Sequence, residues 1–149
     1  MAEQRIRYSN HGRDTMKIDG QCHCGRVRYT ATVNPENVSV CHCTDCQAIS
    51  GSAFRTTLRV PDSDFEMTGK TKMYMKVAAS GNRRALVFCP ECGTQMYGTM
   101  AGDGPKLISV RLGTANQRAQ LPPRRQIWCR SAMPWVNHLA DVPMSSEQD

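Results

Sequence analysis

Alternation of apolar and polar residues is the dominant pattern along this chain. In RVRYTATV, Val27, Tyr29, Ala31 and Val33 fall on one side and Arg26, Arg28, Thr30 and Thr32 on the other, the two-residue period of a strand with one face buried. The same period recurs in RTTLRV (Thr56, Leu58, Val60), KMYMKV (Met73, Met75, Val77), ALVFC and LISVRLG (Ile108, Val110, Leu112). Turn-rich stretches such as VPDSD and AGDGP separate these runs, so the pattern predicts a mainly β fold. Met73 and Met75 sit at strand spacing and are read as core residues rather than metal ligands. One short helix is predicted after CHC, with Thr44 as its cap, Gln47 completing a capping box, and Gly51 and Ser52 ending it.

Composition sets the scale of the core. The 149 residues suit one domain, and 40% of them are hydrophobic, but only three Phe, four Tyr and two Trp are present. Such a core is modest, so metal crosslinks would help to hold it. Residues 1–16 and the tail 144–149 are polar and read as loose ends around a single domain spanning 17–143. No apolar run approaches the roughly 20 residues of a membrane span. The first residues carry no apolar segment of the signal-peptide kind, and a soluble, cytoplasmic protein without a membrane partner is expected.

That expectation decides how the cysteines are read. Seven of the eight lie in three tight clusters, QCHCG (Cys22, Cys24), CHCTDC (Cys41, Cys43, Cys46) and FCPECG (Cys89, Cys92). In a reducing compartment they are available as metal ligands rather than held in disulfides. In each CxC, thiolates two apart on a strand would point to one side and leave His23 and His42 facing away from the metal. In CPECG the chain turns back as in a zinc ribbon, with Gly93 free to take angles that a side chain resists. Spacing alone does not say which clusters share an ion, but a four-plus-three division, Cys22, Cys24, Cys89 and Cys92 against Cys41, Cys43 and Cys46, keeps every cluster intact. The first group would make a closed structural site; the second leaves a zinc position open for chemistry. Zinc on three thiolates has net charge of about −1, a poor generator of hydroxide but a good host for a soft ligand such as a substrate thiolate. Seven thiolates around two zinc ions would also bring the formal charge of +6 down to about +3, an ordinary value that removes the main reason to invoke nucleic acid.

Taken together and in order, GQCHCGRVRY, CHCTDCQAISGSAF, FCPECGTQMYG and IWCRSAMPW resemble the glutathione-dependent formaldehyde-activating enzyme family, which includes centromere protein V-like proteins. The resemblance implies a β-tent fold of several coiled antiparallel sheets with zinc-ribbon-like knuckles. It implies two zinc ions per chain: a structural one on Cys22, Cys24, Cys89 and Cys92, and a catalytic one on Cys41, Cys43 and Cys46. The implied reaction is carbon–sulfur lyase chemistry, the addition of glutathione to formaldehyde giving S-hydroxymethylglutathione, with other thiols or aldehydes as alternatives.

Beyond the metal ligands, Arg83 and Arg84 are candidates to pair with substrate carboxylates, and the Gly51–Ser52 loop to line the entrance. Cys129, between Trp128 and Arg130, reads as a buried residue of a packed strand, with a fourth zinc ligand or a redox partner as the alternative. Two other functions remain open on the sequence. One is a zinc-stabilised binding module using basic residues such as Arg124 and Arg125 to contact nucleic acid or protein. The other is a glutathione carrier or redox sensor without turnover.

Overall fold

The computed structural model describes residues 14–78 and 80–148. The extension expected over residues 1–16 lies largely outside that set. Ten strands and one helix form in the order β1 (Met16–Gln21), β2 (Arg28–Val33), β3 (Val38–Cys41), α1 (Thr44–Ser50), β4 (Arg55–Pro61), β5 (Phe65–Thr68), β6 (Lys72–Val77), β7 (Arg83–Phe88), β8 (Gln95–Met100), β9 (Leu107–Arg111) and β10 (Arg125–Ile127). Short 3-10 turns fill several connections. The strands make a small sheet ordered β1-β2-β5 and a large one ordered β10-β3-β4-β9-β8-β7-β6. Every pair is antiparallel except β10 with β3, which is parallel. Among the described residues no helix is long and apolar enough to cross a membrane.

The alternation in RVRYTATV folds as it reads: Val27, Tyr29, Ala31 and Val33 are all buried. Together with Ile18 they meet Val38, Leu58, Val60, Ile108 and Val110 from the large sheet, so one core joins the two sheets. Three aromatic rings bridge the layers, Tyr29 stacked on Phe65 at 5.5 Å and Phe65 edge-on to Tyr97 at 5.4 Å, a spacing at which rings attract beyond their buried area. The end of β1 is closed from outside. Asn116 and Gln117 donate side-chain hydrogen bonds of 2.7 and 2.6 Å to the two carboxylate oxygens of Asp19, holding its carboxyl below the usual value. Gly20 beside it pairs with Ala115 and packs directly against the Thr114 carbonyl and the Tyr29 ring.

The other face of the large sheet is polar and yet covered. Register places Cys41 beside Arg55, Ser39 beside Thr57, Thr57 beside Arg111 and Arg59 beside Ser109. All of these point to one side. Ser39, Thr57, Ser109 and Arg111 are each less than one-tenth exposed.

Two expectations are corrected. Met73 and Met75 are not in the core: they are 61% and 37% exposed, and Val77 beside them 67%. β6 is the outermost strand of the large sheet, where period-two alternation persists although no second layer covers it. The helix cap also shifts by one residue. Cys43, not Thr44, caps α1, its sulfur accepting the Cys46 N–H, while Gly51 ends the helix with φ of 65°.

A methyl group at position 20 has nowhere to go. Gly20→Ala is expected to destabilise the protein by about 1–3 kcal/mol, whereas Met73→Thr should stay within about 0.5 kcal/mol of the parent. Urea unfolding of the two variants checks both; an equal loss from Met73→Thr would show that its strand is covered in solution.

Candidate metal and substrate site

The first sulfur group forms where two turns meet. At residues 22–25 the Cys22 N–H reaches the Val27 carbonyl and the Gly25 N–H the Cys22 carbonyl, with Gly25 at φ 79°. At residues 89–93 the pattern repeats, Cys89 N–H to Thr94 and Gly93 N–H to Cys89, with Gly93 at φ 75°. Cys22 and Cys24 therefore converge because they sit in a knuckle beyond the end of β1, not because they share a strand face. The sulfurs of Cys22, Cys24, Cys89 and Cys92 all lie within 4.8 Å of one another, with Cys22 to Cys24 at 3.6 Å and Cys24 to Cys89 at 3.8 Å. A tetrahedron with zinc–sulfur bonds of 2.3 Å has edges of about 3.8 Å, so the group fits a closed four-thiolate site. Donors already favour ionised sulfur: the Val27 N–H points at Cys22 at 3.3 Å. The Cys92 thiol is pulled down to about 5, first by the Thr94 hydroxyl and then by the Thr94 backbone N–H.

The second group is built from the end of β3 and the start of α1. Cys41 is the last strand residue, Cys43 the helix cap and Cys46 lies in the first turn, so a strand end followed by a tight cap gathers the three sulfurs within 4.8 Å. Here too the CxC pair converges at a change of direction rather than along a strand. Cys43 and Cys46 stand only 2.9 Å apart, closer than the edge of a zinc–thiolate tetrahedron, and would spread slightly around an ion. Cys43 donates to Cys46 across that gap, and a hydrogen bond from Cys46 pulls the Cys41 thiol down to about 5, helped by the Cys43 backbone N–H and Arg55, while Cys46 is pushed up by its bond to Cys41 and by burial. Cys43 also lines a cavity of about 640 Å³ with Lys76, Trp128 and Arg130. Lys76 pairs there with Asp45.

Neither histidine joins a sulfur group. His42 is buried and donates from Nε2 to Gln126 Oε1 at 2.7 Å; His23 is exposed. Cys129 departs from its expected place. It is exposed and lies in a 3-10 turn, Cys129–Ser131, because Trp128 adopts φ of 57° and breaks the strand before it. Its sulfur is not part of the three-sulfur group. This turn is tied to α1 by Gln47, whose Nε2 donates to the His42 carbonyl at 2.8 Å and the Ser131 carbonyl at 2.9 Å.

Of the residues expected to meet substrate, Arg84 is half-buried and lies on the cysteine side of the sheet, while Arg83 is exposed on the other. Gly51 ends α1 with open space where a Cβ would be, and Ser52 is exposed beside it. What the sequence reading missed is the company Arg84 keeps. Arg55, Arg59 and Arg111 share its face, and burial together with mutual repulsion lowers the pKa of Arg59, Arg84 and Arg111 while the sulfurs of Cys41 or Cys46 raise it. The signal was present in the alternation: Arg55, Thr57 and Arg59 occupy the side of β4 opposite Leu58 and Val60, and Ser109 and Arg111 the side of β9 opposite Ile108 and Val110. The sulfur triplet therefore sits in a strongly positive setting.

The model of one family, described as glutathione-dependent formaldehyde-activating enzyme, matches residues 17–131. The chain belongs to that family. An uncharacterized lyase of Schizosaccharomyces pombe is 30% identical over 100 residues, which span 64% of this chain and 68% of the yeast protein. The crystal structure of a Rhodobacter sphaeroides protein aligns with a TM-score of 0.54 at 16% identity, covering 72% of this chain and 98% of that one; it speaks to the fold alone. Within this member of the glutathione-dependent formaldehyde-activating enzyme family, the matched segment contains all eight cysteines, and two groups of them could hold metal ions.

Gln47 is the link between α1 and the Cys129 turn that can be removed without touching a sulfur. Gln47→Ala is expected to cost about 1–3 kcal/mol and to loosen that turn, visible as faster amide hydrogen exchange at residues 129–132. Unchanged exchange there would show that the turn is held by other contacts.

Proposed function

We propose that this protein is a zinc-dependent lyase-type enzyme joining a thiol, glutathione or a close analogue, to formaldehyde or another small aldehyde. The observation that supports it most directly is the sulfur arithmetic: among the described residues three cysteine sulfurs converge without a fourth, and one of them, Cys43, lines a cavity with room for a small molecule. Family membership gives the reaction class. In this reading Cys41, Cys43 and Cys46 hold the catalytic ion and Cys22, Cys24, Cys89 and Cys92 the structural one, two zinc ions per chain, and the reduced thiols suit the cytoplasm. A zinc bound to the triplet would supply an open, soft position at which a substrate thiol is held as thiolate.

The protein's own groups then have defined tasks. Arg55, Arg59, Arg84 and Arg111 provide a positive field that favours ionised sulfur at the triplet and the negative oxygen that develops as the carbonyl is attacked. In the addition, a sulfur–carbon bond forms, the carbonyl π pair moves to oxygen, and oxygen takes a proton. Lys76, on the wall of the Cys43 cavity, is placed to deliver it. Trp128 and Arg130, stacked with the guanidinium carbon 4.8 Å from the ring centre, cover the other wall and limit access of water. Gly51 and Ser52 contribute the loop at the far end of α1, and Arg83 and Arg84 remain candidates for substrate carboxylates, Arg84 being the better placed. The nucleic-acid alternative draws less support, since Arg124 is tied to Glu36 at 3.2 Å.

Protein purified under reducing, metal-replete conditions should contain about two zinc ions per chain by elemental analysis. Cys43→Ser should lose condensation of glutathione with formaldehyde and one zinc while its melting temperature moves by only a few degrees. Cys22→Ser or Cys89→Ser should instead fall by about 10 °C or more, since a structural zinc contributes directly to folding free energy. Equal thermal losses from both kinds of substitution would refute the division of roles, and wild-type turnover in Cys43→Ser would refute the site.

A further inference from the structure

Beside the C-terminal half of α1 lies a second cavity, of about 450 Å³, lined by Ile49, Phe54, Arg55, Gln95 and Arg111 among others. Three of these side chains bring buried polar atoms that have no hydrogen-bond partner: Arg111 Nη2, Arg55 Nε and Gln95 Oε1. Arg111 is only 7% exposed, and its one hydrogen bond runs from Nη1 to the Ser109 carbonyl at 3.4 Å. No ion pair among the described residues involves Arg55 or Arg111. Leaving cationic donors buried and unpaired is among the more costly arrangements a folded chain can adopt. The sulfurs nearby offset charge at a distance, but they do not fill donor positions on the guanidinium.

The architecture keeps the donors available. Gly98 on β8 has no side chain, and a Cβ there would lie 3.4 Å from Arg111 Nη2; its absence leaves the guanidinium its space. Burial first, and Arg55 next to it, lower the pKa of Arg111 to about 9, so an anion brought into the cavity would relieve repulsion as well as fill donor positions. Two flat guanidinium forks match a carboxylate, and Ile49 and Phe54 offer apolar cover for a carbon skeleton.

We propose that this cavity is an anion subsite for a carboxylate of the small-molecule substrate, held by Arg55 and Arg111 with the Gln95 amide. Of its lining residues, Ile49 follows Cys46 by about one turn of α1 and Arg55 stands beside Cys41 in the sheet register, so a molecule anchored there would extend toward the sulfur triplet. The assignment of the anion to a substrate rests on the thiol–aldehyde reading above; the binding itself does not. The carboxylate belongs either to the thiol or to the aldehyde, and the two are separable.

The test uses calorimetric titration of the zinc-loaded full chain with three probes. S-methylglutathione has carboxylates but a blocked sulfur, glyoxylate has a carboxylate on an aldehyde, and N-acetylcysteamine is a thiol with no carboxylate. Arg55→Gln is expected to weaken at least one carboxylate probe by about tenfold and N-acetylcysteamine several-fold less, because that probe loses only the field of Arg55 at the sulfurs and no hydrogen-bonded partner; whichever carboxylate is weakened more than N-acetylcysteamine identifies the carrier. Arg55→Lys, which keeps the charge and loses the fork, serves in its place if Arg55→Gln does not fold, with a smaller loss expected in the same direction. Arginine-dependent carboxylate binding without N-acetylcysteamine binding would uphold the subsite and count against the thiol reading. Failure of both carboxylates to bind the parent, or equal binding by parent and variants, would overturn the subsite.

Discussion

Two turns 65 residues apart in sequence bring the sulfurs of Cys24 and Cys89 to within 3.8 Å, and the rest of the molecule is arranged around that closure. The first turn closes the hairpin of β1 and β2 in the small sheet; the second joins β7 to β8 in the large one. Cys22 and Cys89 are both fully buried and belong to the same apolar cluster as Val27, Leu58 and Val110. Core and crosslink are thus one object. A domain with so few aromatic residues would gain most from a metal at this point, because a crosslink between distant segments removes chain entropy that hydrophobic contact alone would have to overcome.

Much of this was legible in the sequence because it depends on local periodicity and ligand counting. Alternation gave β2, β4 and β9 with the right residues inward, and the grouping of seven cysteines into four and three matches the two sulfur groups the fold assembles. The failures share a cause. Period two says that a segment is a strand but not whether anything packs on it, so Met73 and Met75 were assigned to a core from which the edge position of β6 excludes them. In the same way, the segment around Cys129 read as a packed strand, whereas the backbone turns at Trp128. The convergence of each CxC pair was foreseen, but through strand geometry, whereas the chain uses a knuckle in one case and a helix cap in the other.

The arginines were harder to see for a different reason. On a half-exposed sheet the polar side of a strand faces water, and Arg55, Arg59 and Arg111 would then be unremarkable. Here that side is largely covered, which turns an ordinary surface pattern into a concentration of partly buried positive charge, with Arg111 fully inside, beside the sulfur triplet. The sign of the site changes with it. Three thiolates and a divalent ion alone would be net negative and would repel anionic molecules, but four guanidinium groups reverse that field over the distance that a small substrate must cross.

Gly93 and Gln95 lie where the closure and the cavity meet. The first ends the knuckle that carries Cys89 and Cys92, the second begins β8, and both line the cavity beside α1. A molecule bound there would lean on backbone that the four-sulfur group holds in place, so occupancy of the cavity and a metal on that group would be thermodynamically linked. Whatever factor the one adds to the other's affinity, the other returns. With both sites filled as proposed, depletion of the metal would loosen the grip on the ligand, and the ligand in turn would slow surrender of the metal to competing chelators.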